Sequence, residues 1–146
     1  MWKGRKPRAK TGRQPPQLDT WRKQAKRGHD LWRVIVYCKE PSGICPMCRK
    51  RQWTDAAHIF PKGRYPHIRL GPENGVPLCR GCHGVFDSDH EMHRTFAMQY
   101  LGSDKYEALR LRAISRGKTD MSLALMFLQL ELERLRPVVD ALGRGK

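Results

Sequence analysis

The sequence predicts an α+β fold in which a small zinc-bound ββα core lies between flanking α-helices. Two Cys-x-x-Cys pairs, separated by 30 residues, indicate a metal site that joins distant parts of the chain. Between the pairs, two short segments, 52–60 and 76–78, are predicted as strands, and the second pair leads into a predicted helix. After residue 88 the apolar residues recur at helical spacing, which predicts further helices.

Basic residues dominate the chain. It carries 29 Lys and Arg against 14 Asp and Glu, a formal net charge of +15 at pH 7. Such an excess is typical of a protein that binds a polyanion, so nucleic acid is the leading partner, and charge alone does not distinguish DNA from RNA. No apolar run approaches the roughly 20 residues that cross a bilayer, and no apolar segment follows the basic N-terminus. We therefore expect no membrane partner and a cytoplasmic location, in the host cell if a phage encodes the chain.

The first part of the chain divides into two segments. Residues 1–17 are predicted to form a disordered basic arm, because prolines oppose a helix there and no acidic residue balances the basic ones. The arm either solubilises the chain or follows a phosphate backbone, and the basic character of the rest favours the second role. Residues 18–43 are predicted as a helical lead-in in which Gly28 interrupts the helix and Trp32 is a core residue.

Four of the five cysteines form the two pairs. In a reducing cytosol such pairs favour zinc over disulfides. Cys45, Cys48, Cys79 and Cys82 would supply the four thiolates of a tetrahedral structural Zn²⁺, with no open position for water. The remaining cysteine, Cys38, is interpreted as a small buried apolar residue.

Three polar residues lie at the ends of the predicted strands and at the start of the predicted helix. His58 lies near the end of the first strand, and Asn74 lies in a Glu-Asn-Gly turn just before the second. His83 directly follows the second cysteine pair, at the start of the predicted helix. Imidazole suits proton transfer near neutral pH and also binds divalent metals, so both histidines are candidates for a hydrolytic site. His67, in the same segment, is interpreted as structural.

With the four cysteines, these three residues resemble the HNH endonucleases, also called the ββα-metal nucleases. Their hallmark is a His, an Asn and a His on two strands and a helix, and residues 44–90 are predicted to form this nuclease core. The resemblance implies that His58 is the general base, that His83 binds a catalytic divalent ion and that Asn74 holds His58 in orientation through the loop backbone. It also implies metal-dependent hydrolysis of DNA, with Mg²⁺ or Mn²⁺ favoured and Ni²⁺ or Zn²⁺ as alternatives.

One position departs from the family pattern. Many members carry an Asp immediately before the first His, where it binds the catalytic metal, but here that residue is Ala57. Asp55 lies on the same strand face as Ala57, and Asp87 lies one helical turn beyond His83, so either carboxylate is a candidate replacement. Asp87 is preferred, because a His and an Asp four residues apart on a helix can hold one ion together.

The segment between His58 and Asn74 is basic. Lys62, Arg64 and Arg69 lie in a loop that, by the resemblance, borders the bond to be cut. These three residues are therefore predicted to contact phosphate groups of the nucleic acid.

Residues 91–146 are predicted as a helical C-terminal extension. Ser88 and Glu91 have the spacing of a capping box for its first helix, which ends at Gly102. A second helix follows Ser103, and a third is predicted over residues 119–136. The third is apolar almost all round, so it is expected to be buried, either by packing on the core or in a homodimer.

The leading functional hypothesis is a phage-encoded, metal-dependent DNA endonuclease. A weaker resemblance to the NinG (Rap) recombination nucleases of phage lambda suggests the alternative of a branched-DNA (Holliday junction) recombination nuclease. The substitution at Ala57 motivates a second alternative, a non-catalytic zinc module that only binds nucleic acid.

Overall fold

The part of the chain that the computed structural model describes, residues 16–144, contains six α-helices, one two-stranded sheet and two short 3₁₀ helices, Pro66–Ile68 and Pro72–Asn74. The predicted α+β fold is confirmed, and most of the predicted basic arm, residues 1–15, lies outside the described residues. Each of the described helices is too short or too polar to cross a bilayer. The elements in chain order are α1 (Pro16–Tyr37), β1 (Asp55–His58), β2 (Gly75–Leu78), α2 (Arg80–Ser88), α3 (His90–Leu101), α4 (Ser103–Ile114), α5 (Met121–Arg134) and α6 (Arg136–Arg144).

Helix α1 runs without interruption through Gly28, so the predicted break there is wrong. The glycine is buried, and a Cβ at this position would lie 2.8 Å from a methyl group of Leu70 and 3.5 Å from one of Leu125. Gly28 therefore serves close packing of α1 against its neighbours. A glycine lowers helix propensity by only about 1 kcal/mol, which tertiary packing readily offsets.

Strands β1 and β2 pair antiparallel, with Asp55 opposite Leu78 and His58 opposite Gly75. The sheet packs against α1 and against α2. Because alternate residues of a strand point to opposite faces, Asp55 and Ala57 lie on the side of α2, and Ala56 and His58 lie on the side of α1. This division decides which helix each candidate site residue meets.

Two apolar clusters form the core. One is built around Phe86 of α2 and includes Leu109 of α4, and the other joins Trp32 of α1 to Leu128 of α5. The buried Trp32 donates its indole N–H to the carbonyl of Gly71 over 2.9 Å. A Cβ at Gly75 would lie 2.7 Å from the Trp32 ring, so α1 approaches the start of β2 so closely that only glycine fits.

The C-terminal extension begins with a cap that differs from the predicted one. The side chain of Asp89 accepts hydrogen bonds from the backbone N–H groups of Glu91 and Met92, so it caps α3. The Ser88 hydroxyl instead donates to the carbonyl of Gly84, inside the last turn of α2. The predicted capping box is therefore wrong by one residue, because Ser88 still belongs to the preceding helix.

The apolar helix predicted over residues 119–136 corresponds to α5, which ends at Arg134 and is followed by α6 from Arg136. Packing within the chain meets the expected burial on one face of α5 only. Met121, Leu125 and Leu128 pack toward α1, but the opposite face is exposed. The exposed apolar face consists of Leu123, Met126, Phe127 and Leu130.

Candidate active site and metal sites

Four cysteine side chains meet where the two Cys-x-x-Cys turns face each other. The sulfur atoms of Cys45, Cys48, Cys79 and Cys82 all lie within 4.8 Å of one another, and those of Cys48 and Cys79 are 3.9 Å apart. Two thiolates on one tetrahedral zinc, each at about 2.3 Å, would be separated by about 3.8 Å. The cluster is therefore compatible with the structural zinc site that the sequence predicts.

Backbone amides favour the thiolate form of Cys48 in this cluster. Hydrogen bonds from the backbone of Lys50 and Arg51 lower the pKa of Cys48 to about 6. The sulfur of Cys79 accepts the backbone N–H of Cys82 over 3.5 Å and so caps the start of α2. The cysteine cluster thereby fixes the first turn of α2, which carries His83.

His83 lies on that first turn, between two carboxylates. Its Nδ1 is 3.0 Å from a carboxylate oxygen of Asp55, and its Nε2 is 3.4 Å from one of Asp87. A carboxylate beside Nδ1 favours the tautomer with its proton there, which leaves the lone pair of Nε2 available for a metal ion next to Asp87. The structure thus brings together the three residues proposed as catalytic-metal ligands, but at different nitrogens of the imidazole.

The carboxylate of Asp55 contacts both His83 and Arg80. Its second carboxylate oxygen lies 3.2 Å from the guanidinium of Arg80, and its side chain is only 12% exposed. Burial raises the pKa of Asp55, but the hydrogen bond from His83 and the charge of Arg80 outweigh that effect, so the pKa is lowered overall. Asp55 is therefore an ionised carboxylate, and its two oxygens already have partners.

Ala57, where many family members have a metal-binding Asp, offers no ligand. Its methyl group is buried in the cluster around Phe86. Within residues 16–144, the four cysteines are the only group of three or more His, Cys, Asp or Glu side chains whose ligand atoms converge as a metal site requires. A catalytic ion would therefore rest on the pair formed by His83 and Asp87.

Asn74 is fully buried and ties the long loop together. Its side-chain oxygen accepts the backbone N–H of Phe60 over 2.7 Å. Its amide nitrogen donates to the carbonyls of Phe60 at 3.0 Å and Ile68 at 3.4 Å. Asn74 thus fixes the backbone directly after β1, two residues beyond His58, as the resemblance to HNH nucleases implies.

His58 lies on the other face of β1, against α1. Its ring stacks on the indole of Trp32, with the ring centroids 4.0 Å apart. Its Nε2 lies 2.9 Å from the carbonyl oxygen of Arg69, which can only accept a hydrogen bond, so Nε2 carries the proton and Nδ1 has the free lone pair. Burial and nearby positive charges lower the pKa of His58 to about 4, so the ring is neutral at pH 7.

All of the candidate site residues predicted from the sequence lie between Cys38 and His90, and residues 38–90 match the family model described as HNH endonuclease. This segment is an HNH endonuclease domain. No curated protein and no solved structure gives a significant match to the chain. The HNH domain indicates a nuclease whose substrate is a nucleic acid. The phage origin and the narrower resemblance to the NinG nucleases stay predictions, because the match is to the broad family.

The basic loop of the HNH domain divides into two parts. Lys62 and Arg69 act electrostatically on His58, since both lower its pKa. The guanidinium of Arg64 instead lies over the ring of Tyr65, 5.5 Å from the ring centroid. Two of the three predicted phosphate contacts therefore lie beside the candidate base.

Two residues near His58 were not predicted as part of the site. His29 and Trp32 come from α1, outside the HNH domain, and both rings lie close to parallel with that of His58. Their spacing of three residues places them on one helical face, which the sequence does reveal. Nothing in the sequence indicates that this face meets β1, because the contact joins segments about 30 residues apart.

Proposed function

We propose that the HNH domain is a metal-dependent DNA endonuclease in which His83 and Asp87 hold the catalytic divalent ion and His58 is the general base. The observation that carries the proposal is the position of His83 between Asp55 and Asp87 on a helix that the cysteine cluster fixes. When bound, the ion would supply the positive charge that stabilises the leaving oxygen of the phosphodiester.

The two carboxylates have different roles in this proposal. Asp87 is the second metal ligand, since its oxygen faces the Nε2 that carries the free lone pair. Asp55 is a positioning residue, because it accepts a hydrogen bond from the Nδ1–H of His83 and is itself held by Arg80. Hydrogen bonds of this kind orient a metal-binding imidazole, and their loss commonly weakens metal affinity by about 10- to 100-fold.

In this proposal, Nδ1 of His58 accepts a proton from the attacking water. Three features support this role: the carbonyl of Arg69 fixes its tautomer, Trp32 fixes the ring plane, and its lowered pKa keeps it neutral at physiological pH. Asn74 supports the role indirectly, because it holds the backbone that follows β1. A base of this kind contributes roughly 10²- to 10⁴-fold to the rate.

The test is nicking of supercoiled plasmid by the full chain with its structural zinc bound, in Mg²⁺, Mn²⁺, Ni²⁺ or added Zn²⁺. We expect His58→Ala to abolish nicking, Asp87→Ala to raise the metal concentration needed, and Asp55→Asn to do so more weakly. His90→Ala is the matched control, since His90 is an exposed histidine two residues beyond Ser88 and should nick as the wild type does. Equal nicking by the wild type and His58→Ala would refute the assignment of the base.

The same assay separates the alternatives. Ala57 leaves the metal site one ligand short of the usual set, which favours a non-catalytic zinc module as the second candidate function. Binding of DNA without cleavage in any of the four metals would support that module. Faster cutting of a four-way junction than of linear duplex would support a recombination nuclease, and cleavage of an RNA strand would widen the substrate class.

A homodimer through residues 119–136 is also part of the proposal. The exposed apolar face of α5 supports it, since Leu123, Met126, Phe127 and Leu130 follow one another at helical spacing and each is more than half exposed. A dimer of this kind would present two active sites and could cut both strands. Sedimentation equilibrium tests it: we expect a dimer for the wild type and a monomer for Phe127→Lys, and a monomeric wild type would refute it.

A further inference from the structure

A cluster of three aromatic rings beside His58 involves a helix that lies outside the HNH domain. The ring centroid of His29, on α1, is 5.4 Å from that of Trp32 and 5.9 Å from that of His58, while the His58 and Trp32 centroids are 4.0 Å apart. All three rings are parallel to within 19°. If the two histidines covered opposite faces of the indole, two layers of about 3.5 Å would separate them by about 7 Å. The measured distance is shorter, so both imidazoles lie on the same face of Trp32, side by side.

Arg69 supplies an unpaired donor to the same place. Among the described residues, its Nη2 is a buried side-chain atom that has no hydrogen-bond partner. The guanidinium lies over the ring of Trp21, 5.2 Å from the ring centroid, and this contact holds it against α1. Buried donors without a partner are rare in folded proteins, so Nη2 is available to an additional acceptor.

The charges around this ring cluster favour an anionic acceptor. Burial lowers the pKa of His29, and Lys62, Arg33 and Arg69 lower it further through their positive charges. Asp30 acts in the opposite direction, but it is exposed and paired with Lys26 over 3.0 Å. The positive charges of Lys62 and Arg69 also lower the pKa of His58. An oxyanion placed here would face several cations and one weakly opposing carboxylate.

We propose that His29 and Arg69 bind one phosphate group of the nucleic-acid strand beside His58, so that α1 completes the active site. The inference rests on the proposed function in that it takes a nucleic acid as the ligand. Arg69 would donate from Nη2 once a rotation of its side chain exposes that atom, and His29 from a ring N–H, to different oxygens of the same phosphate. The side-by-side placement of the imidazoles sets this phosphate next to the candidate base. The substrate site therefore extends beyond the residues that match the family.

The first experiment measures binding. Fluorescence anisotropy of a short fluorescein-labelled DNA duplex is followed with the full zinc-bound chain, at several salt concentrations and without added divalent ions. We expect His29→Ala and Arg69→Ala each to weaken binding by tenfold or more, since each removes a hydrogen bond to a charged group. Arg69→Ala should also reduce the slope of log K against log salt by about 0.9, the value for one lost phosphate contact. The variant that carries both substitutions should bind DNA about as weakly as whichever single variant binds more weakly, because both side chains contact one phosphate.

Two control variants make the result specific. Arg27→Ala removes one positive charge from the exposed side of α1, away from Trp32, and should change the affinity much less than Arg69→Ala does. His29→Gln keeps an N–H donor, so it should recover part of the affinity that His29→Ala loses. Zinc content and tryptophan fluorescence report whether each variant keeps its fold. Single variants that bind no worse than Arg27→Ala, or effects that add fully in the double variant, would overturn the proposal.

Plasmid nicking by the same proteins separates this inference from the proposed nuclease. A wild type that never nicks, but whose binding depends on His29 and Arg69, would refute the nuclease and keep the phosphate site. A wild type that nicks, with His29→Ala unchanged in both binding and nicking, would overturn the phosphate site alone.

Discussion

Replacing Asn74 by Asp tests whether the hydrogen bonds of Asn74 hold the loop after β1. The two side chains have almost the same shape, so only the hydrogen bonding and the charge change. The side chain is fully buried, and its amide nitrogen faces the carbonyl oxygens of Phe60 and Ile68. In Asn74→Asp an oxygen takes the place of that nitrogen. An ionised carboxylate would then face two carbonyl oxygens without water, which is strongly unfavourable. The acid is expected to stay protonated in the folded state, where its O–H can still donate to the carbonyl of Phe60.

The size of the expected loss of stability follows from the difference between the folded-state and unfolded-state pKa of the new Asp. The folded-state pKa of the new Asp is raised above its unfolded value of about 3.9, so the unfolded state releases its proton first and stability falls as pH rises. Each pH unit between the two pKa values costs about 1.4 kcal/mol relative to the wild type. From about pH 5.5 to about pH 7.5 the variant should therefore lose about 2.7 kcal/mol more than the wild type does. The lost donor adds a constant penalty of about 1 kcal/mol.

Urea unfolding, followed by tryptophan fluorescence with zinc present, measures this difference at each pH. Asn74→Ala is the control without an ionisable group: it loses all three side-chain hydrogen bonds, so its deficit of about 3 kcal/mol is larger than that of Asn74→Asp at low pH but should not itself depend on pH. A deficit of Asn74→Asp that is independent of pH would refute the reasoning, because it would mean that water reaches the carboxylate.

Three further predictions concern the base, the zinc and the packing of α1. Because burial lowers the pKa of His58 to about 4, kcat/KM for nicking should stay constant as the pH falls from about 7.5 to about 5.5, and a decline with an apparent pKa near 6.5 in zinc-loaded protein would contradict this. Removal of zinc by a chelator should unfold the HNH domain, since the cysteine cluster holds α2 in place, and a thermal scan that is unchanged after measured zinc loss would contradict this. Gly75→Ala should destabilise the fold by about 1–3 kcal/mol in urea, because its Cβ would lie 2.7 Å from the Trp32 ring, and an unchanged midpoint would mean that α1 shifts freely.

Much of the metal chemistry was predictable from short-range spacing. The two Cys-x-x-Cys turns predict a four-cysteine cluster, because each turn presents two sulfurs to one ion wherever the chain brings the turns together. The pairing of His83 with Asp87 was also predictable, since residues four apart on a helix are neighbours. Strand alternation predicts that Asp55 shares a face with Ala57. It does not predict that Asp55 binds Nδ1 of His83, because that depends on how α2 packs on the sheet.

Tertiary packing decides the role of Gly28 and the burial of α5. Gly28 has the sequence signature of a helix break, but the packing of Leu70 and Leu125 against α1 decides its role. The apolar residues of α5 outnumber those that one neighbouring helix can cover, so four of them remain exposed. Local propensities are worth about 1 kcal/mol or less per residue, and tertiary contacts of several kcal/mol override them.

The α+β class, the cysteine cluster and the order of His58, Asn74 and His83 can all be read from the sequence, because each depends on residue types at fixed short spacings. The tertiary structure alone decided that His58 faces α1 while His83 faces Asp55. It also decided that His29 and the unpaired donor of Arg69 lie beside His58. The physical reason is that these contacts join segments far apart in the chain, and the packing of α1 and α2 on the small sheet selects them.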